Sequence, residues 1–231
     1  LKEQEKFSIL PKEGEFLVEE WKDDEDQPNY IFHSVCGRKA NDAIARVFAY
    51  EIGKKKGCSV ATTISDYGFV LRIPKLKVIT RLDIEELFWL EDFESTLKIA
   101  IEGTEILRRR FRNVASRGYL VLKRYPGREM PISRQQINSE ILLRLIKEEL
   151  PDFPLLKEAY NEVMKEAMHV DEALNYIEKI RRRRLVIKAP GVPSPFAFNL
   201  VAMGAQDVVV IEDRRGFIQK THKRLMNSES A

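Results

Sequence analysis

The chain has 231 residues, of which 44% are hydrophobic and 32% are charged, and its 39 Lys and Arg nearly balance 36 Asp and Glu, leaving a formal net charge of +3. These figures are typical of a globular chain of one or two domains, and they exclude a strongly cationic tail protein. No apolar run approaches the roughly 18 residues of a transmembrane helix, and the opening LKEQEKF lacks the pattern of a signal peptide. Because Cys36 and Cys58 are its only cysteines, we expect a reduced, cytoplasmic protein that does not contact a membrane.

The first 80 residues carry strand patterns around a single helix. Residues 14–21 and 29–35 are predicted to form short strands, and residues 59–73 a hairpin. A helix is predicted to begin after Gly37, because apolar residues then recur three and four positions apart, and to end by Gly57.

Residues 81–182 form a helical portion. Apolar periodicity and capping residues predict helices over 83–90 and 155–168, and further helices that start at Thr104, Ser133 and Asp171. The helix from Ser133 carries a wide apolar face, made of Ile137, Ile141, Leu142, Leu145 and Ile146.

Residues 183–231 return to a mixed pattern. Strands are predicted over 184–189 and 207–211, with a short apolar helix or turn over 196–203 between them. An amphipathic helix is predicted from Asp213, and the last five residues are expected to be disordered. The predicted fold class is α+β, with the portions 1–80, 81–182 and 183–231 forming one compact unit.

The near-neutral total charge conceals segregated blocks. Residues 13–26 and 83–105 hold eight acidic residues each and one Lys each, whereas residues 106–128 hold eight basic residues and no acidic one. A second basic run, over 179–188, holds six basic residues. Because local fields steer a polyanion more than the net charge does, these segments are the candidate interfaces.

The segment 106–128 carries the strongest functional signal. Its basic residues can bind phosphates through charge and forked hydrogen bonds, and they are Arg108, Arg109, Arg110, Arg112, Arg117, Lys123, Arg124 and Arg128. Alternatively, these arginines pair with the preceding acidic helix. Tyr125, beside Pro126, is predicted to stack on a base, whereas Phe111 and Tyr119 are predicted to lie in the core.

The second basic run is interpreted as a solvated helix end, because cations suit the C-terminus of a helix. Together the two runs would neutralise roughly four to six phosphates, which implies a log–log salt slope of about −3 to −5.

The sequence offers few residues arranged for catalysis or metal binding. The three histidines, at 33, 169 and 222, have no metal-ligand spacing, so no metal site is predicted. A pair of His33 and Cys36 is a conceivable base and nucleophile, but both cysteines are interpreted as buried small hydrophobic residues. The sequence contains no GxxxxGK[ST], which excludes ATP hydrolysis by this chain alone.

Several strings of the sequence stand out together, in this order: FHSVCGRKANDAIARVFA, ILRRRFRNVASRGYLVLKRYPGR, SRQQINSEILL, FPLLKEAYNEVMKEAMHVDEALNYIEKI, PSPFAFNL and IEDRRGFIQKTHKRL. They resemble the region that follows the motor in the large helicase-related (Lhr) family of superfamily 2 helicases. The last two resemble the end of the archaeal members' core. The resemblance runs from about Phe16 to Leu225, nearly the whole chain.

The resemblance implies a piece of a larger ATP-dependent helicase, acting in DNA repair or RNA handling, whose RecA-like motor domains and winged helix lie elsewhere in the polypeptide. ATP and Mg²⁺ would bind that larger protein. The resemblance also implies a β-barrel-like antiparallel sheet with an inserted helix, and a grip on single-stranded or forked nucleic acid. By motif match its candidate contacts are Arg38 and Asn41, together with Arg108, Arg110, Arg112 and Arg128, although the turn at Arg38 could equally be a structural hinge.

Three hypotheses remain open. The first is a nucleic-acid-binding accessory domain without catalysis of its own. The second is a base-excision DNA glycosylase, which would need a carboxylate or amide beside a pocket for a flipped base. The third is a protein-docking module that presents its acidic faces to the motor domains or to a basic partner.

Overall fold

The computed structural model describes residues 1–23, 26–204 and 207–209, which form an α+β fold. The strands are β1 (Glu15–Lys22), β2 (Pro28–Phe32), β3 (Val60–Ser65), β4 (Gly68–Arg72), β5 (Arg124–Tyr125), β6 (Arg128–Glu129), β7 (Arg184–Lys188) and β8 (Asp207–Val209). The helices are α1 (Lys2–Phe7), α2 (Arg38–Lys56), α3 (Arg81–Phe88), α4 (Phe93–Ile101), α5 (Glu105–Arg117), α6 (Ile132–Glu149), α7 (Pro154–Asn161), α8 (Val170–Arg181) and α9 (Pro195–Ala202). A π-helical segment, Glu162–Ala167, continues α7.

The main sheet is open and mixed. Its strand order is β7-β1-β2-β4-β3-β8, and β5 and β6 form a separate two-stranded hairpin. β7 pairs with β1 in parallel, with Glu15 opposite Arg184, and the other pairings are antiparallel. The expectation of a barrel-like antiparallel sheet is therefore wrong, because closure requires the first and last strands to pair and here β7 and β8 lie at opposite edges.

Helices cover both faces of the main sheet. Because side chains alternate along a strand, Phe32 points to the face that carries α2, where its ring lies 5.7 Å from that of Phe48 and stacks on that of Phe69 at 4.8 Å. Ile31 points to the other face and packs against Ala197 and Leu200 of α9.

The helix predicted after Gly37 is confirmed. α2 passes through the buried Gly53 and ends at Gly57, whose φ of 63° is left-handed and favours glycine. Lys54, Lys55 and Lys56 occupy its last turn, next to the negative end of the helix dipole.

The helical portion is built around α5, which packs against α6, against α7 and against the π-helical continuation of α7. The predicted helices are confirmed, with starts one residue before Ser133 and Asp171. α4 was not predicted; it is a separate helix because Asp92 caps it by accepting a hydrogen bond from the backbone nitrogen of Ser95 at 3.1 Å.

The apolar face predicted for α6 is only partly buried. Leu143 and Ile146 enter the core, whereas Ile137, Ile141 and Leu145 are 57%, 46% and 48% exposed. The helix is thus rotated so that an apolar stripe, spaced four residues apart, faces outward.

After residue 183, β7 and α9 match the predicted strand and helix. β8 covers three residues of the strand predicted over 207–211. The helix predicted from Asp213 and the last five residues lie outside the described residues.

A buried carboxylate, Glu19, holds the two ends of the described chain together. Glu19 is fully buried in β1 and accepts a hydrogen bond from Gln4 Nε2 of α1 at 3.2 Å and from Ser194 Oγ, the cap of α9, at 2.6 Å. Its Oε2 also lies 3.0 Å from His33 Nε2. Burial raises the pKa of Glu19, but the hydrogen bonds from His33 and Ser194 and the charge of His33 outweigh it, so the pKa lies below its usual range.

Candidate nucleic-acid interface

The outward side of α5 carries exposed arginines. Its buried stripe consists of Leu107, Phe111, Val114 and Ala115, which confirms that the arginines project from the other sides of the helix. Arg108 and Arg109 are exposed and Arg112 is half-buried. Within the described part of the chain these three side chains meet little opposing charge, since the one ion pair found there joins Arg108 Nη1 to Glu105 at 3.9 Å.

Two other arginines of α5 are held by glutamates of the π-helical segment that continues α7. Arg110 and Arg117 are two turns apart and therefore share a side of the helix, which faces the π-helical segment. Arg110 Nη1 lies 3.5 Å from Glu162 Oε2 and 3.4 Å from Glu166 Oε2, and Arg117 Nη2 donates to Glu162 Oε1. The hydrogen bond and charge of Glu162 raise the pKa of Arg117. Among the described residues, the acidic partners of α5 other than Glu105 thus follow the helix in sequence. The alternative interpretation of the sequence expected them in the preceding acidic helix.

The basic residues after α5 lie on an exposed hairpin formed by β5 and β6. Lys123, Arg124 and Arg128 are exposed, and Arg124 Nη2 donates to Glu129 Oε1 at 2.9 Å. Gly127 forms the turn with a φ of 78°. Tyr125 pairs with Arg128 across the hairpin; its side chain lies outside the described part, so its predicted stacking remains a prediction.

Tyr119 occupies the junction between α5 and this hairpin. Its side chain was predicted to lie in the core, and that prediction is wrong: Tyr119 is 83% exposed. Its φ of 59° is left-handed, a conformation that bulky side chains rarely adopt. The chain leaves α5 through this residue with the ring in solvent, whereas Phe111 is fully buried as predicted.

The GRxxN string offers Arg38 and Asn41 as candidate contacts, and the side chain of Asn41 is buried inside the fold. Its side chain is fully buried; Nδ2 donates to the carbonyls of Ser34 and Ser65 at 3.1 and 2.9 Å, and Oδ1 accepts from Cys36 Sγ at 2.9 Å. Asn41 therefore ties the start of α2 to the β3–β4 turn and presents no amide group at the surface. Burial raises the pKa of Cys36 to about 11, and His33 contacts Glu19 instead, so the pair of His33 and Cys36 is not assembled.

Arg38 is exposed at the start of α2, where its backbone nitrogen donates to Asp66 Oδ1 at 3.1 Å. The neighbouring Lys39, which sequence reasoning missed, donates to the backbone carbonyl of Glu166 at 3.0 Å. Because Glu166 also contacts Arg110, the start of α2 lies beside the basic flank of α5. No local motif indicates this proximity, since residues 39 and 166 meet only in the folded chain.

The second basic run is only partly solvated. Arg181 donates from Nε to the carbonyl of Phe88 at 2.6 Å and from Nη2 to that of Leu90 at 3.1 Å, and its guanidinium lies 5.4 Å from the ring centre of Trp89. Arg181 therefore caps the end of α3, whereas Arg182, Arg183 and Arg184 are exposed.

Within the described ranges, no group of three or more His, Cys, Asp or Glu side chains is placed to hold a metal ion. In the same part of the chain, no helix combines the length and hydrophobicity needed to cross a membrane.

Comparisons with known proteins identify the family. The family described as DEAD/H associated matches residues 10–197. The ATP-dependent helicase Lhr-Core protein 2 of Thermococcus barophilus is 48% identical over 97% of this chain, and the ATP-dependent helicase Lhr-Core of Methanocaldococcus jannaschii is 46% identical over 97%. The chain spans about a quarter (26%) of the length of each of these relatives.

A solved structure is also similar. It is the structure of Mycobacterium smegmatis helicase Lhr bound to ssDNA and AMP-PNP, and it matches with a TM-score of 0.72 and 27% identity, covering 86% of this chain and 26% of that one. The resemblance to Lhr helicases is thereby confirmed, and the chain belongs to the DEAD/H-associated family.

Proposed function

We propose that this chain is the nucleic-acid-binding accessory domain of an ATP-dependent Lhr-type helicase, and that it grips the tracked single strand through arginine–phosphate contacts. The observation that carries the proposal is the exposed arginine side of α5, continued by the basic hairpin. A similar fold occurs in the Mycobacterium smegmatis helicase Lhr bound to ssDNA, which supports a single strand as the ligand.

In this proposal, the domain binds the strand through its charges, and the rest of the polypeptide moves the strand. Guanidinium groups bind phosphate oxygens with forked, charge-assisted hydrogen bonds that carry no sequence information, so the domain can hold a strand while it is moved. The chain lacks GxxxxGK[ST], so its own residues do not fit ATP and Mg²⁺, which would bind RecA-like domains of the same polypeptide. The winged helix and the arms of a fork are further proposed partners.

The proposal is tested by titrating the purified chain with a fluorescent single-stranded oligonucleotide at several salt concentrations. We expect the log of the affinity to fall linearly with the log of the salt concentration, with a slope of about −3 to −5 and little dependence on base sequence. An absence of binding to single strands, duplexes and forks at low salt would contradict the proposal.

Tyr119 is proposed as a stacking platform beside the phosphate contacts. Tyr119→Ala is expected to weaken single-strand binding about tenfold, because an aromatic ring under a base contributes about 1–3 kcal/mol, and Tyr119→Phe is expected to retain it. Tyr119→Gly separates the effect on binding from the effect on folding. Glycine adopts the left-handed backbone without strain, so this variant should have a higher melting temperature than the wild type. It should nevertheless bind the single strand as weakly as Tyr119→Ala, because it lacks the ring. If Tyr119→Ala and Tyr119→Gly both bound the single strand with the affinity of the wild type, the ring would not stack on a base.

The glycosylase alternative is not favoured. Three carboxylates among the described residues are buried, those of Glu19, Asp83 and Glu162, and each is already held by neighbouring groups. Asp83, for example, lies 2.8 Å from Lys55 Nζ and 2.6 Å from Lys56 Nζ, and it accepts hydrogen bonds from Thr80 as part of a capping box. Carboxylates held in this way serve folding more readily than a reaction on a flipped base.

A further inference from the structure

Two glutamates beside α5 meet the same arginine from different environments. Glu162 is 7% exposed and binds both Arg110 and Arg117, whereas Glu166 is 64% exposed and, among the arginines of the described residues, binds Arg110 alone. Both belong to the π-helical segment that packs against α5.

The two contacts differ in how readily a competing anion can replace them. An exposed ion pair contributes little, since water and salt screen it and its side chains lose freedom in forming it. A buried carboxylate that loses its cations is left desolvated and unpaired, so Glu162 keeps its arginines. A phosphate that approaches Arg110 from solvent can therefore replace Glu166 and not Glu162.

Hydrogen bonds to the backbone of the π-helical segment hold the two glutamates in place. The π-helical segment closes with a hydrogen bond from the nitrogen of Met168 to the carbonyl of Val163, five residues earlier, at 3.0 Å, and His169 follows with a left-handed φ of 44°. Lys39 binds the carbonyl of Glu166 from the start of α2. π-helical turns are rare and frequently occur at functional sites, which fits a segment that sets charged groups against a binding surface.

We propose that Glu166 is a built-in competitor for the nucleic-acid phosphate at Arg110, and that Glu162 is a positioning residue that aims Arg110 and Arg117 at the strand. This inference rests on the proposed function and adds a regulatory element to the same surface. The two glutamates, four residues apart in one π-helical segment, then act on binding in opposite directions.

The test compares Glu166→Gln with Glu178→Gln, an exposed glutamate of α8 whose replacement changes the net charge equally. Glu166→Gln is expected to tighten single-strand binding about two- to fivefold relative to Glu178→Gln, which corresponds to the loss of one exposed ion pair. In an Arg110→Ala background the two substitutions are expected to have the same effect, because the competitor has lost its site.

Other outcomes separate the two proposals. If Arg110→Ala weakens single-strand binding but Glu166→Gln and Glu178→Gln bind with equal affinity, the competitor role of Glu166 is refuted and the proposed function stands. If Glu166→Gln tightens binding equally with and without Arg110, the effect is general charge repulsion, and the competitor is again refuted. If neither Arg110→Ala nor the replacement of the other arginines of α5 weakens binding, the proposed function itself fails.

Glu162 is tested separately. Glu162→Gln removes an acid, yet it is expected to weaken single-strand binding at least twofold, the reverse of the effect of Glu166→Gln. Because the variant could be less stable, Glu162→Asp serves as a second probe: it keeps the charge but withdraws the oxygens, and it too should weaken binding. Circular dichroism at the assay temperature verifies folding, and tighter binding by a folded variant of either kind would overturn the positioning role.

Discussion

Replacing Arg108, Arg109 and Arg112 together by alanine is expected to weaken binding to a single-stranded oligonucleotide about 100-fold at low salt. Each side chain offers a charge-assisted contact that contributes on the order of 1 kcal/mol, and about 1.4 kcal/mol corresponds to a tenfold change in affinity. The log–log salt slope should become less negative by about 2, because three fewer phosphates are neutralised.

The same substitution is expected to leave the fold intact. The three arginines lie outside the buried stripe of α5, and alanine is the best helix former. The matched control replaces Lys179, Arg182 and Arg183, which changes the net charge by the same amount in the second basic run. If both triple variants lose affinity equally, binding reflects overall charge and not the surface of α5. If the α5 variant binds like the wild type, the arginine grip is wrong.

The secondary structure follows the local sequence closely. The helix after Gly37, the β3–β4 hairpin and the helix that starts after Thr104 were predicted because apolar spacing, glycines and capping residues act within a few positions. Sheet closure is different. It depends on which strands meet after the chain has passed through the helical portion. β7 pairs in parallel with β1, whose residues lie 169 positions earlier in the chain, and no local pattern specifies that pairing.

The same distinction applies to the candidate site. The arginines of α5 are visible as a run, and their projection away from the core follows from helical periodicity. Which of them is neutralised does not follow, because Glu162 and Glu166 approach from a segment about 50 residues later. Tyr119 was misplaced for a related reason: its neighbours read as apolar, but the left-handed backbone at the end of α5 turns its ring to solvent.

A motif match can also reflect folding alone. Asn41 stands in the string that resembles Lhr helicases, yet each polar atom of its side chain is used inside the fold. A buried amide with this many partners stabilises one arrangement of the loops around it. Arg38, three residues earlier and exposed, is the member of the pair that remains a candidate contact.

Replacing Glu19 is expected to reduce the stability of the fold strongly. Glu19→Ala leaves Gln4, His33 and Ser194 without their shared acceptor, and breaking such a buried polar cluster should lower the free energy of unfolding by about 3 kcal/mol at pH 7. The measurement is urea unfolding followed by circular dichroism. Glu13→Ala removes an exposed acid nearby and should change stability by less than about 0.5 kcal/mol.

The pH dependence gives this prediction a second test. Because the folded-state pKa of Glu19 is depressed below its ordinary value of 4.5, the carboxylate contributes stability above that pH and loses it as the pH falls through the folded-state pKa. The difference in stability between the wild type and Glu19→Ala should therefore shrink as the pH is lowered below about 4.5. Asp83, whose pKa is also lowered, is present in both proteins and cancels from the difference. A difference that stays constant from pH 7 to acid would mean that Glu19 stabilises the junction of α1, β1 and α9 by packing and not by its charge.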